Sequence, residues 1–248
     1  MLGKYRNYLR YGRALIENEA YRRAQRLSLE EYAKQPNRTE VINFLIEVLG
    51  RPVNYLEIGV RNPQHNFDHI KAHRKWSVDP GVEYAGYRAD FPMTSDAFFS
   101  QWNSFQPALP VMDIIFIDGL HLAPQAERDI EHALQHIATD GFVVVHDCNP
   151  PTEWHAREDY GYHLTPAGGN WNGTTWKAFV HCRTQPHRFS CCVDADWGIG
   201  VFSLEIRIGN TLEKAPGYYE YADLDTNRKA LLNLVSFDDL KRTLLSLS

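Results

Sequence analysis

The sequence predicts an α/β fold: a doubly wound sheet of about seven strands, mostly parallel with a terminal antiparallel hairpin, plus extra N- and C-terminal helices. Three observations carry this. Helical and strand-like segments alternate through the middle of the chain. The apolar runs YLEIGV and DIIFIDG each bring an acid and a glycine to a strand end. A second strand-like run stops at Asp79, about twenty residues after the first, where an acid can accept hydrogen bonds from a ribose diol. That spacing describes a nucleoside cofactor site.

The elements follow in order. Two helices fall within residues 4–34. Asn37 with Glu40 reads as a capping-box start, after which Val41, Phe44, Leu45, Val48 and Leu49 share one helical face until Gly50 and Pro52 stop it. Strand one is 54–58 and strand two 75–78, and a weak third strand is expected near 84–89. Thr94, Ser95 and Asp96 can cap a helix holding Phe98, Phe99 and Trp102. The fourth strand, Val111 with 114–117, is apolar enough for the sheet centre and precedes Asp118 and Gly119. A helix with Pro124 in its first turn follows; Gly141 is expected to end it before a fifth strand at 142–145. Past a loop rich in Gly, Pro and Trp come a helix at 176–181, strands at 189–193 and 199–206 joined by DADWG, and C-terminal helices over 231–245. The expected division is a helical extension at 1–36, a catalytic body at 37–210, and an appendage at 211–248 packed on the same domain.

Composition narrows the function. At 248 residues, 44% hydrophobic and 23% charged, the chain can bury one good core. A net charge of -5 argues against nucleic acid as the partner, although the first 26 residues are locally basic, which reads as a solvated helix face. No run approaches a membrane span, and arginines interrupt the N-terminus, so a cytoplasmic protein with no membrane partner is expected. Cys148, Cys182, Cys191 and Cys192 show no CxxC spacing and read as reduced thiols. Apolar faces on the terminal helices would suit a homo-oligomer.

YLEIGV, SVDP, DIIFIDGLH, GFVVVHDCNPP and DADWGIGV stand in this order with helices between them, and by them the chain resembles the class I S-adenosylmethionine-dependent methyltransferases. The likeness spans about residues 40–207 and is closest to bacterial small-molecule and sugar O-methyltransferases, whose sheet is Rossmann-like. It implies S-adenosyl-L-methionine as cofactor. Glu57 and Gly59 match the first motif, the carboxylate receiving the cofactor's amino group; Asp79 matches the ribose acid; Thr94 and Ser95 lie where adenine is contacted. Arg61, in the turn after Gly59, and Asp118 complete the cofactor-facing set. The family's further glycines are replaced by Val60 to His65, so Asn62 must supply the turn chemistry.

Methyl transfer to a hydroxyl needs in-line geometry and a place for the proton. Asp118, His121, His146 and Asp147 converge at the ends of the two central strands. His121 is the preferred general base, since imidazole titrates near neutrality, and it stands where catechol-type relatives have a lysine. Asp118 and His146 join it as catalytic residues. In metal-dependent relatives, acids after strands four and five hold Mg²⁺. Asp118 and Asp147 match them, although Cys148 replaces an asparagine; histidine participation would favour Mn²⁺ or another transition metal. Within the long aromatic loop, His155 and Trp171 are the expected acceptor contacts. The expectation is methyl transfer to a hydroxyl of a small metabolite or sugar-containing acceptor. A NAD-dependent oxidoreductase, which would want the absent GxGxxG, and a non-catalytic cofactor-binding assembly module are the alternatives.

Overall fold

The computed structural model describes residues 2–84 and 86–246; Met1, Ala85, Leu247 and Ser248 lie outside the described residues. Helices α1 (Leu2–Ile16) and α2 (Glu19–Ala33) lead into α3 (Arg38–Leu49). The capping box forms as expected: Asn37 accepts from the Glu40 N–H, and Glu40 accepts from the Asn37 N–H. Gly50 ends the helix in the left-handed conformation, with φ of 60°.

The chain continues through β1 (Asn54–Ile58), β2 (Arg74–Val78), α4 (Ser95–Ser100), β3 (Met112–Ile117), α5 (Ala123–His136) and β4 (Ile137–Val145). Then come α6 (Thr175–Cys182), the hairpin β5 (Phe189–Val193) and β6 (Ile199–Ser203), α7 (Tyr221–Leu232), β7 (Leu234–Val235) and α8 (Phe237–Leu245). The seven strands form one sheet in the order β2-β1-β3-β4-β6-β5-β7. The first four pair in parallel, β6 runs antiparallel to both neighbours, and β7 is parallel to β5. This is the Rossmann-like arrangement the sequence announced.

Strand alternation sends Leu56, Ile58, Ile115, Ile117, Val143 and Val145 into one core, beneath α4, α5, α6 and α7. Tyr55, Ile114, Phe116, Phe142 and Val144 face the other way, beneath α3 and α8. The C-terminal segment enters both layers, Leu224, Leu231 and Leu232 on the first side and Leu240 and Leu244 on the second.

Three expectations are corrected. No strand occupies 84 or 86–89, and Ala85 lies outside the described residues. The edge of β2 is instead satisfied by side-chain capping: Asp90 accepts from the Ser77 N–H and hydroxyl at 2.9 and 2.8 Å, and one bridge joins Val78 to Phe91. Gly141 does not end α5, which stops at His136, because β4 already begins at Ile137 opposite Met112. A register shift follows at Met112/Ile114, and a Cβ on Gly141 would lie 2.6 Å from the Asp113 carbonyl. Finally, β7 interrupts the expected C-terminal helices; Asn233, left-handed at φ of 45°, turns the chain out of α7 and onto the edge of β5.

Candidate active site

At the carboxyl ends of β1, β3 and β4 the chain encloses a cavity of about 610 Å³. Glu57, Gly59, Arg61 and Asp79 line one end, Thr94 and Ser95 a flank, and Asp118, His121, His146, Asp147 and Trp171 the centre. The strand order brings Glu57, Asp79, Asp118, His146 and Asp147 together, and loops add the rest. Gly59 has φ of 84°, and a Cβ there would stand 2.4 Å from the Asp118 carbonyl, so the ends of β1 and β3 meet only over a glycine.

Glu57 is 2% exposed and accepts from Asn66 Nδ2 at 2.9 Å and from the hydroxyl of Tyr55, two residues back on the same face. Burial pushes its pKa up to about 8 against these hydrogen bonds. Asp79 braces the turns around it, accepting from the Arg61 N–H at 2.9 Å and the Gly81 N–H at 2.6 Å. Asn62 supplies the turn chemistry, its side chain accepting from the Gln64 N–H at 3.1 Å. Arg61 reaches outward to Glu83 at 3.3 Å. Thr94 caps α4, and Ser95 accepts from Gln125 Nε2 at 3.1 Å.

The centre is a charge network. His121 lies 3.2 Å from Asp118 through Nε2 and 3.2 Å from Asp147 through Nδ1, which also points at the Trp171 carbonyl. Burial disfavours its charge, but Asp147 and Asp118 outweigh burial and raise its pKa to about 9. His146 Nδ1 sits between Asp118 at 3.2 Å and Asp147 at 3.0 Å. Although it is buried and beside Arg38, the carboxylates around it hold its pKa well above the usual histidine range. Asp118 is in turn held well below the carboxylate range, burial notwithstanding, by His146 and Arg38. Asp147 is left-handed at φ of 61°, a strained conformation kept by Asn172, which donates to it at 2.7 Å. Donor atoms of Asp118, His121 and Asp147 lie within 4.8 Å of one another, close enough to share a cation.

Two contributors escaped the sequence reading. Arg38, the first residue of α3, donates to Asp118 at 2.6 Å and to Asp196 at 2.9 Å. Asp196 and Trp197 occupy the DADWG turn with φ of 43° and 64°, the carboxylate facing His146 Nε2 at 3.4 Å. DADWG was visible as a turn; nothing linked it to an arginine 158 residues earlier.

The acceptor-side expectations separate. Trp171 stacks on His121 with ring centroids 5.1 Å apart, its indole nitrogen tied to the Arg157 carbonyl at 2.7 Å. Gly173 anchors the end of this loop, since a Cβ would stand 1.9 Å from the His121 carbonyl, to which the Thr174 N–H donates at 2.7 Å. His155 is fully buried and stands outside the cavity lining, held by Ser28 and Thr152 at 2.9 and 2.8 Å. Ser28 gives its proton to the Ala24 carbonyl, so His155 Nε2 donates to Ser28 while Thr152 donates to Nδ1. Burial lowers its pKa to about 4, and the ring packs as a neutral group.

No helix among the described residues is long and apolar enough to cross a membrane. No curated protein matches the chain. Among solved structures, the O-methyltransferase from Bacillus cereus in complex with SAH is 13% identical with a TM-score of 0.42, over 75% of this chain and 90% of that one. The O-methyltransferase TomG from Streptomyces achromogenes in complex with SAM is also 13% identical, with a TM-score of 0.43 over the same shares. The profile of a family described as a methyltransferase domain matches residues 19–148.

Proposed function

The chain belongs to the methyltransferase-domain family, and on that premise we propose that it transfers the methyl group of S-adenosyl-L-methionine to a hydroxyl of a small metabolite or sugar-containing acceptor. The single observation carrying this is the joint facing of Glu57, Asp79 and His121 onto one cavity. Glu57 takes the cofactor's ammonium, Asp79 its ribose diol, and Thr94 and Ser95 its adenine, with Gly59 and Arg61 shaping the turn beside them. The S–CH₃ bond breaks as the O–CH₃ bond forms, the sulfonium becomes a thioether, and the acceptor proton goes to neutral His121. Asp118 and Asp147 then stabilise the imidazolium, and His146 holds both carboxylates in register. Trp171 offers a face for an apolar ring surface. The oxidoreductase and non-catalytic alternatives give way to the family assignment.

The closeness of Asp118, His121 and Asp147 favours a second reading of the same reaction. Two carboxylates and an imidazole suit a divalent ion such as Mg²⁺ or, better, Mn²⁺. It would supply Lewis acidity at the acceptor oxygen, with His121 a ligand instead of a base. Calorimetry with S-adenosylhomocysteine tests the core claim: binding is expected, and no heat at millimolar ligand sinks it. His121→Gln should leave that affinity intact, remove most turnover, and abolish the rise in wild-type rate as pH approaches about 9. Loss of wild-type activity in EDTA, restored by Mn²⁺, would select the metal reading.

A further inference from the structure

Over residues 3–16, helix α1 buries no face. Across residues 3–16 only Gly12 is less than exposed, and Tyr5, Tyr8, Leu9, Tyr11, Leu15 and Ile16 stand 48% to 76% open. Isolated helices of this length are marginal in water, and one with two glycines and three tyrosines is poorer still; such a helix persists by packing. Lys4, Arg6 and Arg10, with no acid in the helix, favour a negative covering surface, whereas Arg13 already pairs with Glu17 at 2.7 Å.

The same chain presents that surface. Residues 158–164 are exposed without interruption, joining Glu158 and Asp159 to Tyr160, Tyr162 and Leu164, the last 81% open; the segment holds no lysine or arginine of its own, and Lys177 comes no nearer to Glu158 than 3.8 Å. Helix α2 follows α1 after two residues and grips the chain just beyond residues 158–164. Gln25 donates to the Pro166 carbonyl at 3.0 Å and Tyr32 to Asn170 at 2.6 Å. In a two-fold dimer both contacts would form at once. Pairing α1 with α1 would instead set cation against cation.

We propose that α1 of one copy packs on residues 158–164 of a second copy, and reciprocally, in a closed dimer. Tyr160 also lines the active-site cavity, so the visiting helix borders the acceptor mouth. The proposal does not depend on the methyl-transfer reading.

Light scattering on the full chain tests it with two charge-reversed variants, one carrying Lys4→Glu, Arg6→Glu and Arg10→Glu, the other Glu158→Lys and Asp159→Lys. Wild type is expected at dimer mass, and each variant alone should dimerise at least ~tenfold more weakly. Mixing the two variants should restore the dimer, because opposite charges then meet at both contacts; that restoration also certifies their folding. A monomeric wild type, a variant that dimerises normally, or a mixture that stays monomeric overturns the proposal. Sedimentation of monomeric wild type with phosphatidylcholine vesicles containing phosphatidylglycerol would assign α1 to a lipid surface and overturn it as well.

Discussion

Glu57 sits 2% exposed between the Tyr55 hydroxyl and the Asn66 amide, where burial raises its pKa to about 8. Unfolded, the group loses its proton near its model value of 4.5. Between those values the folded state binds the extra proton, so ionising Glu57 erodes stability as pH climbs through that window. Glu57→Gln should therefore raise the ligand-free melting temperature at pH 8 by roughly 3 °C or more, and flatten its fall with pH. It should also weaken S-adenosylhomocysteine binding about tenfold or more, since a neutral amide no longer answers the ammonium. Melting curves and calorimetry on one preparation check both. Glu57, Asp79, Asp118 and His121 were legible as strand-end residues because position along a strand decides which edge of the sheet a residue reaches. Arg38 was not, since a first-turn arginine looks solvated until the DADWG turn arrives beside it. His155 misled for the opposite reason: a histidine among loop aromatics reads as recognition, yet both its nitrogens are occupied by hydroxyls from α2 and its own loop.

The elements show the same division between local and distant forces. The capping box of α3 is written in Asn37 and Glu40, and it formed. Asn37→Ala should cost about 1 kcal/mol, lowering the melting temperature by about 2–4 °C. The fault would not stay local, because Arg38 follows the cap and aims at Asp118; scanning calorimetry checks the stability, and a fall in turnover would register the displaced arginine. Elements decided by partners were harder to read. The segment before Phe91 looked like a strand until Asp90 capped Ser77. The two residues of β7 carry no periodicity, and only the open edge of β5 makes them a strand.

At the scale of the molecule, α2 acts as a brace over the aromatic loop. Ser28, Gln25 and Tyr32 hold His155, Pro166 and Asn170, while the Tyr32 ring meets Trp197 edge-on at 5.2 Å. The helix outside the sheet thereby reaches the cavity, which Tyr32 lines together with Trp171 and Trp197. Tyr32→Phe keeps the ring and removes its hydrogen bond to Asn170. Acceptor KM should rise about two- to fivefold with S-adenosylhomocysteine affinity unchanged, as steady-state kinetics and calorimetry would show. An equal loss in both would mean that the loop and the cofactor end move as one. The sequence by itself determined the parallel centre of the sheet, its order of strand-end acids and the end of the cavity that Glu57 and Asp79 line. These follow from apolar periodicity and from chain position, both local properties. Only the tertiary structure decided which charges neutralise Asp118, which aromatic residues line the cavity, and that α2 reaches it. Those outcomes depend on segments far apart in sequence, where packing, and no local pattern, selects the neighbours.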